Sequence, residues 1–408
     1  MRLPITLAGL FLAGSAHAAP LTYAAALQAA GQTSPTLQAR GLQVESARAA
    51  ARASGALPDP KLTAGIDNFP ISGPPAGRFN GDSMTMARVG VMQDMPSGAK
   101  RSAARALAQT DIDVAGAVQR LSAREVRTAT ALAWINLYYA ERRQAAVGEV
   151  LTRLEPLWSA APSAVASGAA RPAQSLEAEQ MRADLEDRRS EVTATVGRAR
   201  AELSRWTGDP DPEAAGSPPS FEVNGPALRA ALEGHPRLEE QTAMAAQAQA
   251  DVRLAQAGKR PDWSWEVAYQ RRDPMFGDMV SAGVTVTLPL FGAGRQDPII
   301  AAKVAAAGQA RAEREVARRD LVALLDAALA DHIMHHDQWS RSQSVLLPLA
   351  QKRADLETAS YGAGRAGLSD VLQAFTTLAN TQLTLLDREA AVAADAASLV
   401  LTFGNDQP

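Results

Sequence analysis

The chain has no cysteine. That excludes disulfides, a cysteine nucleophile and a lipid carried on an N-terminal cysteine. Aromatic residues are only 5% of the sequence. Past the first residues no run of about 18 apolar residues occurs, which excludes a transmembrane helix. Charge of one sign is also missing. Lys and Arg number 41 against 44 Asp and Glu, for a net charge of -3. So near a balance argues against a nucleic-acid partner. There is no G-x-S-x-G, no phosphate loop and no H-E-x-x-H, so the sequence offers no enzyme and calls for no cofactor. The dense carboxylates on its helices read as solvated faces.

What is present begins with an export signal over residues 1–18. Arg2 gives the positive start, Ile5 to Gly14 an apolar core, and Ala16-His17-Ala18 a small-x-small cleavage site. The mature chain is expected to begin at Ala19, and cleavage removes one cation and no acid.

The remaining sequence repeats itself. Pro96, Pro156, Gly168 and Gly208 are answered by Pro289, Pro348, Gly364 and Gly404, at offsets by subtraction of 193, 192, 196 and 196. A period this long marks a duplicated structural unit rather than a solenoid of short repeats. The expected division is a first repeat over 19–208, a Pro- and Gly-rich connector over 209–224, a second repeat over 225–404 and a tail at 405–408. Each repeat reads as helix, strand pair, very long helix, helix.

Alanine with Gln, Glu and Arg makes strong helix formers. From Gly98 to Ser167 the notable break is Pro156, and from Gly294 to Tyr361 the breaks are Pro298 and Pro348. Nearly 70 residues at about 1.5 Å each give roughly 100 Å of helix, more than a globular core needs. Val147, Val150, Leu151, Leu154, Leu157 and Trp158 form a narrow apolar stripe, the pattern of coiled-coil packing. Shorter helices are expected over 22–56, 172–206, 226–258 and 367–403. Stacked end to end, two of these match one long helix.

Strand pairs are expected over 61–69 with 83–95 and 263–271 with 280–288. Val280, Ala282, Val284, Val286 and Leu288 alternate with Ser281, Gly283, Thr285 and Thr287. Alternation over about ten residues suits a tilted barrel strand, and equally a small soluble hairpin packed on helices. Export and helix length favour the barrel. Known barrels start near eight strands and an open edge in lipid is forbidden, so four strands require several chains sharing one barrel.

Leu57-Pro-Asp-Pro-Lys-Leu62, Gly65-Ile-Asp-Asn-Phe-Pro70, Met84-Thr-Met86 and Gly90-Val-Met-Gln93 resemble the heavy-metal branch, CzcC-like and CusC-like, of the TolC-like outer-membrane efflux family. The resemblance covers essentially the whole mature chain. It implies a mainly α fold with some β: a coiled-coil helical barrel, and four strands per chain in the twelve-stranded barrel of a homotrimer. It implies a passive exit duct in the cell outer membrane with a periplasmic extension, in contact with outer-membrane lipid. The implied partners are a periplasmic adaptor (membrane fusion protein) and an inner-membrane RND pump. The implied cargo is heavy-metal cations such as copper and silver or cobalt, zinc and cadmium. Organic drugs are the competing cargo, and a soluble periplasmic coiled-coil structural or adaptor protein is the competing class. Several relatives carry a lipidated N-terminal cysteine, which this chain lacks.

Tyr361-Gly-Ala-Gly-Arg365-Ala-Gly367-Leu368-Ser369-Asp370 resembles the family's adaptor-docking tip. Its glycines suit a tight turn, Ser369 or Asp370 can cap the outgoing helix, and Arg365 offers a donor fork. Asp370, repeated three-fold, is the gate candidate. The first-half tip, with Gly168, Arg171 and Ser175, lacks the aspartate and adds Pro172. Both tips also read simply as well-capped helical hairpins. Two clusters could meet a metal. His332, His335 and His336 sit at helix spacing, and the thioethers of Met84, Met86 and Met92 share strand parity with Arg88 and Asp94. The plainer readings are a solvated polar helix face and methionines filling a barrel face.

Overall fold

The computed structural model describes residues 20–168 and 171–404. The export signal, the turn residues 169–170 and the tail 405–408 lie outside the described residues. Among the described residues the order is β1 (Leu21–Thr22), α1 (Tyr23–Thr33), α2 (Pro35–Ala53), β2 (Lys61–Asp67), β3 (Met86–Met95), α3 (Gly98–Ala166) and α4 (Pro172–Thr207). There follow β4 (Ala214–Ala215), α5 (Gly225–Ala231), α6 (Pro236–Ala257), β5 (Asp262–Arg271), β6 (Met279–Thr287), α7 (Gly292–Arg341), α8 (Leu347–Gly362) and α9 (Leu368–Phe403). The chain packs as two compact units. One takes the chain up to Pro35, Ala123–Leu232 and from Val322 onward; the other takes Thr36–Ser122 and Glu233–Leu321. Each draws on both halves of the sequence.

Two of the expected short helices are broken, and proline is the reason. The 22–56 segment is split at Ser34 and the 226–258 segment at His235. Ser34 (φ -61°, ψ 116°) and His235 (φ -69°, ψ 132°) are extended because each precedes a proline, whose ring disfavours helical geometry in the residue before it. His235 then caps α6, its Nδ1 accepting from the Arg237 amide at 3.1 Å. A third departure is at Pro348. Residues Ser342–Leu346 form one π turn between α7 and α8, with the Leu347 amide donating to the Ser342 carbonyl. Proline lacks an amide and crowds the carbonyl four residues back, and the wider turn relieves that crowding. Arg388 of α9 fills in, donating to the Gln338 carbonyl at 3.1 Å and to the Ser342 hydroxyl. Pro156 and Pro162, by contrast, are carried inside α3.

The connector does more than link. β4 pairs in parallel with β1, Leu21 opposite Ala214 and Thr22 opposite Ala215. The Trp134 indole donates to the Leu21 carbonyl at 2.7 Å. Trp134, Ile135, Leu137 and Leu203 are fully buried in the same core, with Ala26, Tyr139, Val196 and Ala397. The Tyr23 ring meets Trp134 edge-on and Tyr138 stacks on it. Where α1 and α4 end, the Thr33 hydroxyl donates to the Thr207 carbonyl at 3.1 Å, supplying a partner the helix end lacks. Gly208 leaves α4 at φ 76°. Gly404 ends α9 differently, in extended geometry, and a Cβ there would lie 2.3 Å from the Val400 carbonyl.

Trp134→Ala should therefore cost about 3–5 kcal/mol, through reduced burial and the cavity left behind. A urea midpoint unchanged from wild type would show that this core does not hold β1 and α3 together.

Candidate functional site

The two hairpins form one antiparallel sheet in the order β2-β3-β5-β6, joined through β3 and β5. Register sorts every side chain to one of two faces. Leu62, Ala64 and Ile66 of β2 lie opposite Val91, Val89 and Ala87 of β3. The same face continues with Trp263, Trp265, Val267 and Tyr269 of β5, opposite Val286, Val284, Ala282 and Val280 of β6. This apolar face is uncovered: Leu62 is 74% exposed, Val280 71% and Val284 69%. Trp263 and Tyr269 are six residues apart on this face, about 20 Å along the strand at 3.3 Å per residue. No helix among the described residues is long and apolar enough to cross a membrane.

The other face is polar. It carries Lys61, Thr63, Gly65 and Asp67, then Met86, Arg88, Gly90, Met92 and Asp94, then Asp262, Ser264, Glu266, Ala268 and Gln270. Lys61 binds Asp94 at 2.7 Å. Arg88 sits across from Gln270, yet its guanidinium reaches along the sheet to Glu266, with Asp67 at 4.0 Å on its other side. It crosses the level of Gly90 and Ala268. A Cβ on Gly90 would lie 2.9 Å from the Ala268 methyl and 3.0 Å from the Thr63 hydroxyl. A glycine inside a strand pattern signals close approach, but its partners across two other strands could not be read from one strand alone. Met86 and Met92 do share this face. Met84 lies just before β3 and is 55% exposed.

The two tips are built at the other kind of terminus. Gly364 (φ 70°) closes α8 in a Schellman motif: its amide donates to the Tyr361 carbonyl at 2.9 Å, and that of Arg365 to the Ser360 carbonyl at 2.8 Å. Gly168, also left-handed (φ 76°), follows α3 and donates to the Val165 carbonyl at 3.1 Å. Asp370 spends one oxygen on the Gly367 amide, 2.9 Å away, capping α9. Gln174 does the same for the Arg171 amide at 2.9 Å. The tips touch each other: the Ser369 hydroxyl donates to Glu177, and a Cβ on Gly367 would lie 3.2 Å from the Gln174 amide nitrogen. Arg365, Arg171 and Asp370 are exposed, and Ser175 is half-buried. Leu368 is not free to dock, being 3% exposed in a core with Leu154, Trp158, Ala178 and Leu372.

The histidines do not converge on a point. His335 binds Asp395 of α9 at 2.7 Å through Nδ1, His336 packs near Trp339, and His332 is half-buried with its Nδ1 unpartnered. Among the described residues no group of three or more His, Asp or Glu is arranged to hold a metal ion. Burial pulls the His332 pKa down, the Asp395 charge opposing and the two neighbouring histidines adding to the shift.

With this geometry in view, relatives place the architecture. The sequence profile of the family described as Outer membrane efflux protein matches residues 227–405. No curated protein matches the sequence. Among solved structures the fold is shared with CusC, described for transmembrane channel formation (TM-score 0.81, 17% identity, 94% of this chain and 92% of that one). It is shared with the CmeC outer membrane channel of Campylobacter jejuni (TM-score 0.79, 12% identity, 99% and 93%). It is shared also with the MtrE outer membrane channel of Neisseria gonorrhoeae (TM-score 0.77, 17% identity, 94% and 88%). The fold is thus the TolC-like fold that these channels share, and residues 227–405 match the model of the outer membrane efflux protein family.

His332 carries a pH signature. A histidine whose folded pKa is depressed contributes stability above its ordinary value of 6.5, lost as pH falls. His332→Gln should flatten the decline in thermal midpoint between about pH 7 and about pH 5.5. A steeper decline in that variant would mean that Asp395 stabilises the protonated ring.

Proposed function

We propose that the protein is the outer-membrane exit duct of a tripartite efflux system, a homotrimer working with a periplasmic adaptor and an inner-membrane RND pump. One observation carries this reading: a four-stranded sheet with an uncovered apolar face, a charged opposite face and unpaired outer edges on β2 and β6. In lipid those edges must find partners, and a second and third copy supply strands of the same kind. Three copies give twelve strands, enough to leave a polar lumen lined by the Lys61 and Glu266 face. A soluble periplasmic role would leave the apolar face in water, where a patch of that kind drives aggregation. The matched family profile and the channel folds of CusC, CmeC and MtrE support the same reading.

The proposed cargo is heavy-metal cations. The support is the stretch from Leu57 to Gln93 and the likeness to CusC; the comparable likeness to CmeC and MtrE keeps organic compounds as the competing cargo. Energy and substrate choice are proposed to come from the inner-membrane pump. The adaptor is proposed to grip the tips, where Arg365 and Arg171 are exposed.

Fractionation should place the protein in the outer membrane as a heat-modifiable trimer. Recovery as a soluble periplasmic monomer would end the channel reading. Deleting the gene should lower tolerance to one or more of copper, silver, cobalt, zinc and cadmium. Unchanged metal tolerance with lost tolerance to dyes or antibiotics would transfer the cargo to organic compounds. Arg365→Glu should leave the trimer in place, because an exposed turn residue carries little packing, while weakening adaptor cross-linking. Removing a charge-assisted hydrogen bond from such a surface costs about 1.5–3 kcal/mol, roughly ten- to a hundred-fold in affinity. Undiminished cross-linking would place docking elsewhere.

A further inference from the structure

We propose that Glu266 sets the charge selectivity of the duct's strand region by holding Arg88 flat against the wall and neutralising it, so that the lumen presents an excess of negative charge. The inference rests on the channel reading above and extends it from architecture to discrimination among ions.

The polar face of the four strands carries two bases, Lys61 and Arg88, and four acids, Asp67, Asp94, Asp262 and Glu266. Two against four leaves two negative charges per chain. Lys61 and Asp94 pair with each other, and Lys100 from the first turn of α3 takes up Asp262. What remains is the trio of Asp67, Arg88 and Glu266, one arginine between two carboxylates. Glu266 binds the guanidinium directly and Asp67 stands off at 4.0 Å, so Asp67 is the carboxylate left without a close partner. A ring of such charges around a pore attracts cations and repels anions.

The local construction explains why this trio is shaped rather than incidental. Arg88 and Glu266 are not opposite one another: Arg88 faces Gln270, and Glu266 faces Met92. The ion pair closes only if the arginine lies along the strand. The position it passes is Gly90 on its own strand and Ala268 on the next, with Thr63 on the far side, whose hydroxyl is 3.5 Å from Glu266. Gly90 has no room for a side chain there. Small residues thus give the long cationic side chain a floor, and the carboxylate at the end of that floor keeps it there. Released, the same arginine has the reach to extend from the wall and put positive charge into the lumen.

The sign of the effect distinguishes this role from simple strand stability. Wild-type, Glu266→Gln, Arg88→Gln and the double variant are compared as purified trimers in planar bilayers under a potassium chloride gradient. Wild type should favour potassium over chloride. Glu266→Gln frees Arg88 and should lower the potassium-to-chloride permeability ratio several-fold. Arg88→Gln leaves Glu266 uncompensated and should raise it. The double variant should return close to the wild-type ratio. Equal ratios in all four trimers, or shifts of one sign in both single variants, overturn the proposal. Should Glu266→Gln fail to assemble, the rise expected in Arg88→Gln decides alone. Absence of any pore from wild-type trimers in the bilayer would instead remove the channel reading, and this inference with it.

Discussion

Hydrocarbon offers no hydrogen bonds, so a strand edge that is harmless in water becomes a cost of several kcal/mol for each unpaired group. In this chain β2 and β6 each present such an edge beside a largely apolar, uncovered face. The rest of the architecture can be derived from that constraint. The sheet cannot stay in water without exposing Leu62, Val280 and Val284, and it cannot enter lipid alone. In the proposed trimer further copies supply partners for those edges, and closure turns the second face inward. Side chains that look like an ordinary polar surface in the single chain, Lys61 to Asp94 and Arg88 to Glu266, line an aqueous path in that proposed assembly.

The helical part obeys a different rule. Long helices with narrow apolar stripes hold together by packing along their length, and the interior of α3 shows where that packing is densest. Trp134 is wholly enclosed, hydrogen bonded to the backbone of the strand that precedes α1, and surrounded by Tyr23, Tyr138 and Leu203. Ion pairs between helices, such as Arg142 with Glu389 and Arg229 with Asp326, lie at exposed positions. Each contributes little in water, so they serve register more than stability.

Periodicity made the element types and the order of helices and strands legible in the sequence. Alternation from Val280 to Leu288 fixed which residues share a face, and Met86 and Met92 lie with Arg88 and Asp94 as parity required. The failures have a common cause. The helix breaks at Ser34 and His235 follow from prolines at 35 and 236 whose effect on the preceding residue was outweighed by strong helix composition on both sides. The β1–β4 pair is only two residues long, too short for any pattern, and depends on pairing between segments nearly two hundred positions apart. Leu368 looked like part of a docking surface because it sits in the tip motif, yet one apolar residue at the start of a helix is as easily drawn under the turn as left upon it. The Arg88–Glu266 pair is diagonal across strands, and no sequence rule gives that reach in advance.

The two halves differ at corresponding places. Both tips turn on a left-handed glycine, Gly168 and Gly364. Both outgoing helices have their first amide satisfied by the residue three positions on, Gln174 in one and Asp370 in the other. The second cap is charged and the first is neutral. A carboxylate at a helix start is favoured by the helix dipole as well as by its hydrogen bond, a contribution the neutral Gln174 does not make. The long helices diverge too: α3 absorbs its prolines without a change of helix type, while α7 and α8 meet through a π turn braced by Arg388.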